Sequence, residues 1–143
     1  MSAPDFYFAV NAIFRHIHDR YGKPALVEYW RTLGRDYYRR RWEGWREGGP
    51  DHLAADWREY FANEPCAEVA VWRNGGVVEL DVRVCPAITH LRKCGRLIVP
   101  YFCEHCDHVC GAMARAAGYS FERRGGMGSC HQRFVQQAPP EAG

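Results

Sequence analysis

From Val78 to Val84 apolar side chains alternate strictly with Glu79, Asp81 and Arg83. A period of two admits only a strand with one buried face. The preceding stretch, Val69 and Val71 followed by Arg73-Asn74-Gly75-Gly76, supplies the partner strand and a turn, so a β-hairpin is predicted. Such a hairpin is not stable alone and needs further strands or a helical layer on its apolar face. The chain offers both, which restricts it to mixed α and β architectures.

The helical layer comes first. Phe6, Val10, Ile13, Phe14, Ile17 and Tyr21 recur at helical spacing over residues 2–21, ending at Gly22. A second helix is predicted from Pro24 to about Gly48, with Leu26, Tyr29, Trp30, Leu33 and Tyr37 on one face. A third runs from Asp51 to Phe61 and must end before Pro65. The arginines and tryptophans of residues 30–46 read either as a solvated helix end with its aromatics turned inward or as a surface for a partner subunit, making a homodimer possible.

After the hairpin, residues 86–94 read as a short helix, residues 101–117 as a longer one stopped by Gly118, and residues 119–124 and 130–136 as two more strands around Gly125-Gly126-Met127-Gly128-Ser129. The expected class is α+β: N-terminal helices followed by an antiparallel sheet of two hairpins with a long cysteine-rich helix between them. At 143 residues this is one domain, with a helical part (1–64), a hairpin-helix-hairpin part (65–137) and a frayed tail (138–143).

The charge is too nearly balanced, at +2, to make nucleic acid a default partner, and no apolar run is long enough to cross a membrane. The start, MSAPDFYF, lacks the features of a signal peptide, so a cytoplasmic protein is expected. No GxGxxG, P-loop, GxSxG or HExxH motif is present, which removes the usual signatures of dinucleotide, nucleotide-phosphate and serine-hydrolase chemistry.

Seven cysteines, an odd number with no secretory signal, point to thiol chemistry or metal ligation rather than a disulfide framework. All lie beyond residue 65. The densest cluster is Cys103-Glu104-His105-Cys106-Asp107-His108-Val109-Cys110 on the predicted long helix. Cys85 stands at a strand-to-helix junction and Cys130 opens the last strand after a glycine loop. Gly125 and Gly126 permit close backbone approach and exposed N–H groups for a carboxylate. The Cys103-x-x-Cys106 spacing also suits a metal such as zinc or iron, with the remaining ligands to come from Cys85, Cys130, His105 or His131. A thioredoxin-like redox pair is the weaker reading, since that motif normally opens a helix in a βαβ setting.

Cys85-Pro86 after an apolar strand, Cys103-x-x-Cys106-Asp107 on a helix, then Gly118, Arg123, Gly125-Gly126 and Cys130 with Phe134 resemble the L-2-amino-thiazoline-4-carboxylic acid hydrolase family. The resemblance covers a third to a half of the chain. It implies hydrolysis of a cyclic C–N bond in a small carboxylated heterocycle. That reaction needs a nucleophile or water activator, an acid for the leaving nitrogen and a cation for the carboxylate. Candidates are Cys85 or Cys106 as nucleophile, with Cys130 in the same cluster. Asp107, His105 or His131 would move the proton, and Arg123 or Arg124 would hold the carboxylate in bidentate fashion beside Gly125 and Gly126. The alternative is a non-catalytic metal-binding or thiol-sensing domain ligated by Cys85, Cys103, Cys106 and Cys130. An accessible, thiolate-prone Cys106 or Cys85 is expected to alkylate well before Cys110.

Overall fold

The computed structural model describes residues 5–138. The first three residues of the expected opening helix and residues 139–143 of the expected tail lie outside that range. Helices α1 (Asp5–Tyr21), α2 (Lys23–Thr32) and α3 (Arg39–Ala62) precede the hairpin β1 (Glu68–Asn74) and β2 (Val77–Val84). Helices α4 (Pro86–Lys93) and α5 (Glu104–Ala117) then lead to the second hairpin, β3 (Tyr119–Gly126) and β4 (Ser129–Gln136). The class is α+β, as the alternation and the helical stripes require. No helix among the described residues is long and apolar enough to cross a membrane.

The two hairpins join into one antiparallel sheet of order β1-β2-β4-β3. Val78, Leu80 and Val82 of β2 and Gln132 and Phe134 of β4 face the helices and are buried. The other face carries charge: Glu79 receives the Trp72 indole N–H at 3.1 Å, lies 3.0 Å from His131 Nε2, and pairs with Arg133, which also reaches Glu122. Strand alternation therefore separates a packed face from a polar one.

Phe134 is fully buried, with ring centroids 4.9 Å from Phe121, 5.5 Å from Trp45 and 6.0 Å from Trp57. Trp30, Trp42 and Trp45 are all buried, so the tryptophans of residues 30–46 belong to the core. Arg41 lies 4.4 Å from the Trp57 ring and 5.2 Å from the Tyr60 ring, and pairs with Asp56, which also takes the Trp45 indole N–H at 2.6 Å.

Two helical expectations are corrected. The buried residues of α1 are Tyr7, Asn11 and Phe14, while Phe6, Ile13 and Tyr21 are exposed. The helix is rotated because its polar members make the inward contacts: Tyr7 O–H donates to Glu64 at 2.6 Å, and Asn11 takes the Val99 N–H and donates to the Leu97 carbonyl. The second helix does not run unbroken to Gly48; it passes through a π-helical turn, Leu33–Tyr37, and restarts after Tyr38. A Cβ at Gly34 would collide with the Val109 carbonyl oxygen, so only glycine lets this turn press against the α5 backbone. The expected boundary between second and third helices survives as a kink within α3 at Gly49, where φ is 74°.

Candidate functional site

Both helices that follow β2 begin at cysteines. Cys85 is the N-cap of α4 and Cys103 the N-cap of α5, with Cys106 one turn on. Helix α5 starts at Glu104, three residues later than expected, because Tyr101–Cys103 form a turn that places the CxxC at the helix end. The β3–β4 loop closes over this point. Gly125, Gly126, Met127 and Gly128 all have positive φ, and the loop is held by three bonds. Met127 N–H donates to Cys103 Sγ at 3.1 Å, Cys85 N–H donates to the Gly128 carbonyl at 2.9 Å, and Arg123 Nη1 donates to the Gly125 carbonyl. A Cβ at Gly126 would lie 2.9 Å from Arg123 and 3.4 Å from Cys103 Sγ, so glycine is what permits the close fit.

Asp107 accepts a fork of bonds from Arg123, Nε to Oδ1 and Nη2 to Oδ2, each 2.9 Å. The bidentate geometry expected for a substrate carboxylate is thus occupied internally. Both Asp107 oxygens are engaged by this cation, which makes Asp107 the anchor of Arg123 and the loop rather than a free proton carrier. Three of the five Arg123 N–H groups are used and two remain. Arg92 of α4 brings a further guanidinium to the loop, its Nη1 lying 2.9 Å from where a Gly128 Cβ would stand.

His105 is packed between the rings of Phe14 and Phe102, with centroids 5.4 and 4.9 Å away. Its Nδ1 lies 2.5 Å from the Phe102 carbonyl. A carbonyl only accepts, so Nδ1 carries the hydrogen and Nε2 presents its lone pair. That lone pair is 3.6 Å from Cys106 Sγ. Burial lowers the His105 pKa from its usual 6.5, keeping the imidazole neutral.

Burial raises the pKa values of Cys85, Cys103 and Cys130, and the nearby Cys106 thiol raises each of them further. Burial pushes Cys106 up to about 12 and Cys85 and Cys130 up to about 11. Cys103 is raised too, opposed by the Met127 N–H and the Arg123 charge. Cys110 is buried one turn deeper, and burial raises it well above the ordinary thiol value.

The sequence-predicted set therefore divides. Cys85, Cys103, Cys106, His105, Asp107, Arg123, Gly125, Gly126 and Cys130 converge at one end of the sheet. Arg124 and His131 do not: they face each other across β3 and β4 on the polar face, where His131 is engaged with Glu79. The zinc or iron set also fails to assemble, because among the described residues no three His, Cys, Asp or Glu side chains are grouped to hold a metal ion. Sequence reasoning missed Met127, Arg92 and the buried pair Tyr7–Glu64, whose tyrosine feels the charge of Cys85. A lone tyrosine and a lone glutamate 57 positions apart leave no local pattern.

The thiol environments extend the expected labelling order to the exposed cysteines. Exposed Cys66 and Cys94 should react with iodoacetamide first at pH 7.5. A thiol with a pKa near 12 carries roughly 10³-fold less thiolate there than an ordinary one. Peptide-resolved mass spectrometry checks this, and Cys106 alkylating ahead of Cys66 would show that a thiolate is already formed at the site.

The chain matches no protein-family model and no curated protein.

Proposed function

We propose that the protein is a hydrolase that opens a cyclic C–N bond in a small carboxylated heterocycle of the thiazoline-carboxylate type. The observation that carries this reading is the Cys106–His105 pair: a thiol 3.6 Å from an imidazole nitrogen whose tautomer is fixed by the Phe102 carbonyl. Nucleophile, base and orienting group in series is the arrangement that activates a weak nucleophile. Cys106 passes its proton to His105 as sulfur attacks the amidine-like carbon. His105 returns the proton to the leaving nitrogen, and water then releases the product from sulfur.

The positive ends of α4 and α5 both face the cluster, favouring negative charge as the reaction proceeds. The two spare Arg123 N–H groups and Arg92 are the donors left for a substrate carboxylate. Asp107 holds Arg123 in place, so its part is positioning.

The test is ring opening of 2-amino-thiazoline-4-carboxylate, followed as the mass gain of one water, beside an analogue without the carboxylate. Turnover of the carboxylated ring, lost in Cys106→Ser, is the expected result. No ring opening, or undiminished turnover in Cys106→Ser, overturns the assignment. Asp107→Asn should raise KM more than it lowers kcat, with a combined loss of about 10²-fold, as expected for a misplaced binding group. A loss confined to kcat would instead make Asp107 a proton carrier.

A further inference from the structure

The hydrolytic reading uses Cys106 and leaves Cys103 as a hydrogen-bond acceptor for the loop, yet the two thiols share one turn. Cys106 N–H donates to the Cys103 carbonyl at 3.2 Å, closing that turn. Residues three apart in helical geometry have Cα atoms about 5 Å apart, inside the range of roughly 4.4–6.8 Å that a disulfide spans. The pair is also asymmetric. Cys103 caps the helix, accepts the Met127 N–H and lies near the Arg123 charge, contacts that oppose the burial raising its pKa and steady a thiolate once it forms. Cys106 lies one turn deeper, beside the unprotonated Nε2 of His105.

We propose that Cys103 and Cys106 are a redox-active dithiol, oxidised by exchange with a small-molecule disulfide to an intrachain disulfide that takes Cys106 out of hydrolysis. The oxidation stands independently of the hydrolase reading; the silencing rests on it. The Cys103 thiolate attacks one sulfur of the disulfide RSSR, the S–S bond breaks, and RS⁻ leaves with the proton that Cys103 gave up. Cys106 then passes its proton to His105 and attacks the Cys103 sulfur. The second RS⁻ departs and takes that proton from His105. The protein loses two electrons and two protons, and RSSR becomes two RSH.

The experiment uses the full chain with Cys66→Ser and Cys94→Ser, which removes the exposed thiols, and oxidised glutathione as probe. Intact mass should fall by about 2 Da with no retained adduct, peptide mapping should join Cys103 to Cys106, and dithiothreitol should reverse the change. Adding Cys106→Ser should trap one glutathione on Cys103, and adding Cys103→Ser should slow glutathione uptake roughly tenfold or more. A persistent adduct in the two-serine parent, a disulfide between other cysteines, or no oxidation overturns the proposal. The parent alone decides this if a further variant fails to fold. Ring-opening activity should decline in step with the oxidised fraction and return on reduction. If the pair oxidises in a protein that never opens the ring, the hydrolase reading fails and the dithiol stands; if the ring opens and the pair stays reduced, the reverse holds.

Discussion

Phe134→Ala should cost the fold about 3–5 kcal/mol, the range for removing a buried aromatic ring from a close-packed core. Phe134 is fully enclosed by Trp45, Trp57 and Phe121. It lies on a central strand between two neighbours, so the sheet cannot move in to fill the void without shifting β2 and β3. Against a total stability of roughly 5–15 kcal/mol, this would leave the chain marginal. Urea unfolding should show a large drop in midpoint with an unchanged slope, while Phe134→Leu, which keeps most of the volume, should lose less than about 1.5 kcal/mol. An alanine variant within about 1 kcal/mol of the parent would mean the core is less tightly filled than its ring contacts indicate.

His105→Asn should lower ring opening by roughly 10²- to 10⁴-fold, the yield of a positioned proton-transfer group. Asparagine can still donate to the Phe102 carbonyl from a similar position, but it has nothing in place of Nε2. Folding is expected to survive where turnover does not, and circular dichroism beside the kinetic assay separates the two. The same histidine gives a pH signature. Its folded pKa is depressed below 6.5 by burial, so below that pH the unfolded chain binds the proton more readily and stability falls with acidification. The parent should thus lose midpoint stability below pH 6.5 more steeply than His105→Asn; parallel curves would show that the imidazole is not buried neutral.

The sheet was legible because Val78, Leu80 and Val82 alternate with charges, and nothing but a half-buried strand satisfies that pattern. The rotation of α1 was not, because its stripe was read from hydrophobicity. Tyr7 and Asn11 are buried through partners at Glu64, Leu97 and Val99, which no helical period contains. At the site, the CxxC-Asp sequence and Cys85 at a strand end carried true positional information, since helix ends and strand ends gather where loops meet. Arg123 and Arg124 were harder to separate, although adjacent strand residues must point to opposite faces, so only one of them can serve this site. Nothing in the sequence showed that Asp107 would occupy the Arg123 fork, because that bond joins a helix to a strand 16 residues on.

The sheet order also dictates when the thiol cluster comes into being. β4 is threaded between β2 and β3, so residues 130–135 must find residues 77–82 across the whole of α4, α5 and β3. The hairpin of β3 and β4 is local and can zip early, whereas its union with β2 carries the loop-closure cost of a long intervening segment. Until that union, Cys85 and Cys130 are far apart and the loop over Cys103 has no Cys85 to fasten to. The centre is therefore expected to be among the last parts of the molecule to mature. A chain stalled one pairing short would hold nearly all its helices yet display its cysteines to solvent, reactive toward one another and toward neighbouring molecules.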